Sequence, residues 1–157
     1  MALKLSSPGF AEKGQIPVVH TCDGKDLSPA LRWPGKPAGT QSFALIVHDP
    51  DAPDPAAPKM TWVHWVLYNL PADLEQLLEG ARDLPGGALE GLNDLKRTGD
   101  GGPCPPKGRR HRYFFKLYAL DHLLPDLHRP TKAKLEAAMS GHILADATLI
   151  GTYERHR

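Results

Sequence analysis

The sequence has 157 residues, 41% apolar and 24% charged, the size and balance of one globular domain. Its formal net charge of +1 excludes the broad single-sign field on which nucleic-acid and membrane-surface binders rely. With 15 glycines and 16 prolines, turns are abundant and helices few, yet the chain stays below the roughly 25–30% Pro plus Gly that marks disorder.

No apolar run approaches the roughly 20 residues of a membrane span, and Met1 to Phe10 has no apolar core followed by a cleavage site. The expectation is a cytoplasmic protein with no nucleic-acid partner and no stable membrane insertion. Cys22 and Cys104 lie far apart and form no CxxC pair. Neither a disulfide framework nor a structural zinc motif is read from that spacing, and reduced thiols are expected.

In chain order, Ser42 to His48 (SFALIVH) is a β-branched and aromatic run that predicts a strand. It meets Pro50, Pro53, Pro55 and Pro58, which predict a stiff loop where helix and ladder both stop. Thr61 to Leu70 (TWVHWVLYNL) predicts a central strand buried on both faces. Strict alternation puts Trp62, His64, Val66 and Tyr68 on one side, and Val63, Trp65 and Leu67 on the other. Ala72 to Glu79, with Leu74, Leu77 and Leu78 before Gly80, predicts a short helix. His111 to Leu120 (HRYFFKLYAL) predicts a strand with His111, Tyr113, Phe115 and Leu117 on one face, so that His111 and Tyr113 line one cavity. Thr131 to Ser140 predicts a second short helix, with a Thr cap, Leu135 and Met139 inward, and Gly141 as stop. Ile143 to Glu154 predicts a last strand, with Ala145 and Ala147 leaving a helical start open. Residues 1–157 thus read as one mainly β domain with a few short peripheral helices.

Gly99 to Gly108 resembles a phosphate loop, but Pro103, Pro105 and Pro106 lack the N–H groups such a loop needs. No HxH, HxxxH or HExxH spacing occurs among the eight histidines, so neither a metal nor another cofactor is expected. A nucleophile elbow is absent, and Cys104 sits between prolines. Lys107, Arg109, Arg110 and Arg112 surround His111 with cations, which read either as a local positive field or as a solvated basic turn. The combination that stands out is Asp49 and Asp51 on the proline-stiffened loop, His64 on a buried strand, and His111 with Tyr113. Carboxylates facing imidazoles orient the rings and favour their charged form.

At these residues the sequence resembles the phosphatidylethanolamine-binding protein family, which includes Raf kinase inhibitor proteins, and most of all its bacterial branch. The motifs are Thr21-Cys22-Asp23-Gly24 with Ser28-Pro29 and Trp33, DPDAP at Asp49 to Pro53, Trp62 with His64, GPCPP at Gly102 to Pro106 followed by His111-Arg112-Tyr113, and Gly151-Thr152-Tyr153-Glu154. The resemblance implies a large antiparallel sheet packed on a smaller one, with a small anion-binding pocket at one end. Its ligand-binding residues carry over as Asp49, Asp51, Pro53, Trp62, His64, Pro105, Pro106, His111 and Tyr113, with a cis peptide before Pro53. It further implies a homodimer. Leu95 and Asp100 depart from positions that are often aromatic in bacterial relatives, and Val63 stands where eukaryotic relatives carry a second histidine. The expected function is non-enzymatic binding of a phosphate- or carboxylate-bearing small anion, or of the phosphorylated head of a larger partner, with modulation or inhibition of a kinase or signalling protein. The alternatives are a hydrolase acting through Asp49, His64 and His111, and a protein-interaction module with a vestigial pocket.

Overall fold

A computed structural model describes residues 3–52, 56, 60–80, 87–94, 98, 102–105, 108 and 110–155. Its strands are β1 (Leu31–Arg32), β2 (Ser42–Ala52), β3 (Met60–Pro71), β4 (Gln76–Leu77), β5 (Leu89–Glu90), β6 (Arg110–Leu120) and β7 (Ile143–Glu154), and its α-helix, α1, is Lys132–Met139. Five strands form one antiparallel sheet in the order β5-β3-β2-β6-β7, and β1 pairs with β4 in a second. This is the expected mainly β architecture of a large sheet on a smaller one.

The long strands are apolar on both sides because both faces of the large sheet are covered. On one face Phe43, Leu45 and Val47 of β2, Trp65 and Leu67 of β3, and Tyr113, Phe115 and Leu117 of β6 pack against Phe10, Ile16, Leu31, Trp33 and Leu77. On the other, Ala44, Ile46, Val63, Val66 and Tyr68 lie with Leu124, Leu135 and Met139. Each fully buried Leu, Ile or Phe stabilises the fold by roughly 1.5–3 kcal/mol. Helix α1 forms as its sequence suggests: the Thr131 side chain accepts from the Lys134 N–H, Leu135 and Met139 are buried, and Gly141 follows at φ 83°.

The outer edge of β7 is covered over its last residues by the chain's first part. Lys13 donates to the Ile150 carbonyl at 2.6 Å, Ile16 to Thr152 at 2.7 Å, and Thr152 to Gly14 at 2.9 Å. The Glu12 carboxylate accepts the Ile150 N–H.

Three expectations are corrected. Residues 72–79 are not helical. The Trp33 amide and indole N–H take the carbonyls of Glu75 and Leu74, and Gln76–Leu77 pair with β1, so long-range partners outbid a short helix's own hydrogen bonds. Strand β2 does not stop at His48 but runs through Pro50 to Ala52. The register passes from Asp49↔Trp62 to Ala52↔Met60, so Pro50 and Asp51 together face one residue, and the missing proline N–H falls inside this bulge.

The third correction concerns the faces of β3. Val47 pairs with Trp65 but His48 pairs with Val63, which leaves His64 as an extra residue. This bulge breaks the alternation. The His64 ring lies against Tyr113, on the face of Trp65 and Leu67, while Val63, Val66 and Tyr68 belong to the core under α1. Alternation fails across this bulge, and it fails again where Tyr68 and Asn69 together face Ala44, so that Leu67 and Leu70 share one core.

Candidate functional site

At the start of β6 and the end of β2, Nδ1 of His111 lies 2.6 Å from Oδ2 of Asp49, with both side chains buried. The other Asp49 oxygen accepts the Asp51 amide at 2.7 Å. An ionised carboxylate only accepts, so Nδ1 carries the hydrogen and Nε2 is turned to the other side of the ring. Tyr113, two residues further on the same face, places its ring 6.4 Å from that of His111 and 5.3 Å from that of His64. The bulge in β3 is what brings His64 to this face.

Nε2 of His111 and the hydroxyl of Tyr113 are buried, and neither has a hydrogen-bond partner among the described residues. Buried polar groups in native proteins almost always have partners, and each lacking one costs roughly 1–3 kcal/mol. Burial and the negative charges of Asp49 and Asp51 push the Tyr113 hydroxyl far above its ordinary range. It therefore stays protonated and available as a donor. Nε2 of His111 meets no hydroxyl or thiol among the described residues, the contact a nucleophile–base pair would require.

Asp51 is committed elsewhere. It accepts the Arg112 backbone N–H at 2.9 Å, Nε at 3.0 Å and Nη2 at 2.9 Å, and the Arg112 guanidinium holds its carboxyl below the usual range. The exposed Arg110 stands 3.9 Å from Glu154. Trp62 is paired with Asp49 across the β2–β3 ladder, and Pro105 is buried. Pro53 with its peptide bond, Pro106, Leu95, Asp100, Lys107 and Arg109 lie outside the described residues.

The cysteines do not stand as reduced thiols: Cys22 and Cys104 form a disulfide, with their Cα atoms 5.3 Å apart. Spacing along the chain was no guide because two loops run side by side. Cys22 N–H donates to the Pro103 carbonyl at 3.1 Å, and Gly102 N–H to Asp26 at 3.0 Å. Sequence reasoning also missed Asp23 and Tyr153 as neighbours of the site. Tyr153 is the register partner of His111, and its hydroxyl donates to Asp23 at 2.5 Å. The alternation of β7 was the available signal, since its odd-numbered residues 147 to 153 are the inward ones.

Residues 6–154 match the phosphatidylethanolamine-binding protein family. A protein of Methanothermobacter thermautotrophicus described as UPF0098 is 45% identical over 156 residues, covering 98% of this chain and 99% of its own. The crystal structure of a phosphatidylethanolamine-binding protein homologue from Chlamydia trachomatis is similar with a TM-score of 0.90 at 42% identity, covering 98% of both chains. That of Escherichia coli YbcL, described as a member of the mammalian family, is similar with a TM-score of 0.88 at 34% identity, covering 99% of both. With this profile match over nearly all of its length, an archaeal relative almost half identical, and two bacterial structures of the same architecture, the chain belongs to the phosphatidylethanolamine-binding protein family.

Proposed function

We propose that the cavity around His64, His111 and Tyr113 binds a small anion, a phosphate or carboxylate group either free or at the head of a larger partner, without turning it over. The observation that carries this reading is the pair of buried atoms without a partner, His111 Nε2 and Tyr113 Oη, on one face of the sheet. The Tyr113 hydroxyl and the Nε2–H of a cationic His111 are two donors in a low-dielectric site, which suit an oxyanion better than any neutral group. Modulation of a kinase or signalling protein follows if the anion is a phosphorylated segment of that partner. Action in the cytoplasm and a homodimer belong to the same proposal. Light scattering that returns 17.2 kDa at micromolar concentration contradicts the dimer. No helix among the described residues is long and apolar enough to cross a membrane.

Calorimetric titration with phenyl phosphate tests the binding reading, with product analysis alongside. Saturable binding without phenol release is expected, weakened in His111→Asn and Tyr113→Phe. Release of phenol would make the site that of a hydrolase, and absence of heat at millimolar phenyl phosphate would leave a protein-interaction module.

A further inference from the structure

The disulfide is connected through Asp23 and Arg155 to the His111–Tyr153 pair. Cys22 and Cys104 are both exposed, whereas the neighbouring Pro103 and Pro105 are buried. Asp23, next to Cys22, accepts the hydroxyl of Tyr153 and forms an ion pair with Arg155, Oδ1 to Nε at 3.2 Å. Tyr153 stands across the ladder from His111, and Nη1 of Arg155 reaches back to the Cys104 sulfur at 3.7 Å. Cys104, Cys22, Asp23 and Arg155 thus form a closed ring of contacts beside the His111–Tyr153 pair. Besides the disulfide, the hydrogen bonds of Cys22 N–H and Gly102 N–H tie the two loops.

We propose that the Cys22–Cys104 disulfide is a redox latch on the anion cavity: oxidised, it holds residues 102–105 against residues 21–26 and keeps the cavity in its binding shape, and reduced, it lets that side open. The inference rests on the function proposed above. The reductant is a dithiol. One of its thiolates attacks Cys22 Sγ and forms a mixed disulfide, and Cys104 leaves as a thiolate beside the Arg155 guanidinium, which stabilises that leaving group. The second thiol of the reductant then displaces Cys22. Two electrons and two protons pass to the cysteines, and the reductant becomes a disulfide. With the disulfide broken, opening is confined to these two loops and leaves the sheet folded. In a reducing compartment the cavity is released, and in an oxidising one it is held.

The wild-type protein in its two redox states provides the test, with hydrogen exchange and phenyl phosphate titration as readouts. On reduction, exchange at the Cys22 and Gly102 amides should rise at least about tenfold while that of Phe43 to Ile46 stays unchanged, and affinity should fall by about tenfold or more. Arg155→Gln should slow reduction by the dithiol. A Cys22→Ser/Cys104→Ser variant should match the reduced protein in any redox buffer. Unchanged exchange at the two loop amides, or equal affinity in both states, overturns the latch. If the oxidised protein has no affinity for phenyl phosphate, the binding function proposed above fails, and the exchange rates alone then decide the latch.

Discussion

Asp49 and His111 stand 62 residues apart in sequence, yet the carboxylate takes the imidazole Nδ1 at 2.6 Å and leaves Nε2 as the ring nitrogen without a partner among the described residues. With its Nδ1 hydrogen given to Asp49, the ring has a hydrogen on Nε2 only when it is cationic. An anion bound at Nε2 therefore gains a charge-assisted donor from the cationic ring.

His111→Ala should accordingly weaken binding of a phosphate monoester. Loss of one charge-assisted hydrogen bond, roughly 1.5–3 kcal/mol, weakens binding about 10- to 150-fold. Calorimetry of the variant and the parent at the same pH measures it. Arg110→Ala should leave affinity nearly unchanged, because that side chain is 69% exposed and its field is screened beyond about 8 Å. Equal affinity of His111→Ala and the parent rejects an imidazole-centred site.

Asp51 is expected to act on stability rather than on the ligand directly. Its carboxyl is held below the usual range chiefly by the Arg112 side-chain hydrogen bond. A depressed carboxyl contributes stability that is present above about pH 4 and lost as pH falls below it. Asp51→Asn should cost about 1.5–3 kcal/mol at neutral pH. Arg112→Ala should cost less, since that side chain is 54% exposed and Asp51 keeps the backbone N–H. Urea unfolding of both variants measures this, and equal costs would contradict it.

His48 gives a second dependence on acid, located on the opposite face. Stacked on Phe114 at 5.4 Å, it is pushed down to about 4, first by burial and then by the charges of Lys132 and Lys116, with Glu136 opposing. Unfolding restores an imidazole that titrates near 6.5, so between about pH 6.5 and 4 the unfolded chain takes up a proton that the folded chain refuses. Stability is full above that window and falls within it as the pH drops. The loss by pH 4 should be about 1–2 kcal/mol, allowing for the solvent that reaches the ring. The urea midpoint of His48→Phe should be less pH-dependent over this window than that of the wild type. Parallel curves would show that His48 carries no such cost.

Gly102 admits no side chain. A methyl there would overlap Oδ1 of Asp26 and the backbone carbonyl of His20, and the carbonyl has no rotamer by which to retreat. Gly102→Ala should destabilise by about 1–3 kcal/mol. Thermal unfolding with the disulfide intact measures it, and an unchanged midpoint would mean that the two loops are not in close contact.

How much of this was legible in the sequence depended on whether one residue or one distant partner decided the outcome. Strand β6 keeps an unbroken period of two, and the shared face of His111 and Tyr113 could be read directly. Strand β3 looks just as regular, but the extra residue at His64 is set by pairing with β2, and no propensity of His64 announces it. Helix α1 has its cap and stop written locally. Residues 72–79 have helical spacing of leucines, but the carbonyls of Leu74 and Glu75 accept the indole and backbone N–H groups of Trp33, some 40 positions earlier. The disulfide depends entirely on where two loops meet in space.

The strip of residues 12–16 along the end of β7 sets an order of events during synthesis. Glu12 and Ile150 are 138 residues apart, and at about 5–20 residues/s the ribosome needs on the order of 10 s to make the chain between them. During that interval the apolar face that carries Ile16 and Phe10 has no strand β7 to cover. Strands β2 and β3 are separated by a short stretch of chain, and β6 and β7 leave the ribosome after them. The early segment can form its hydrogen bonds to Ile150 and Thr152 only once β7 has been made. Among the elements described, it is therefore made first and seated last.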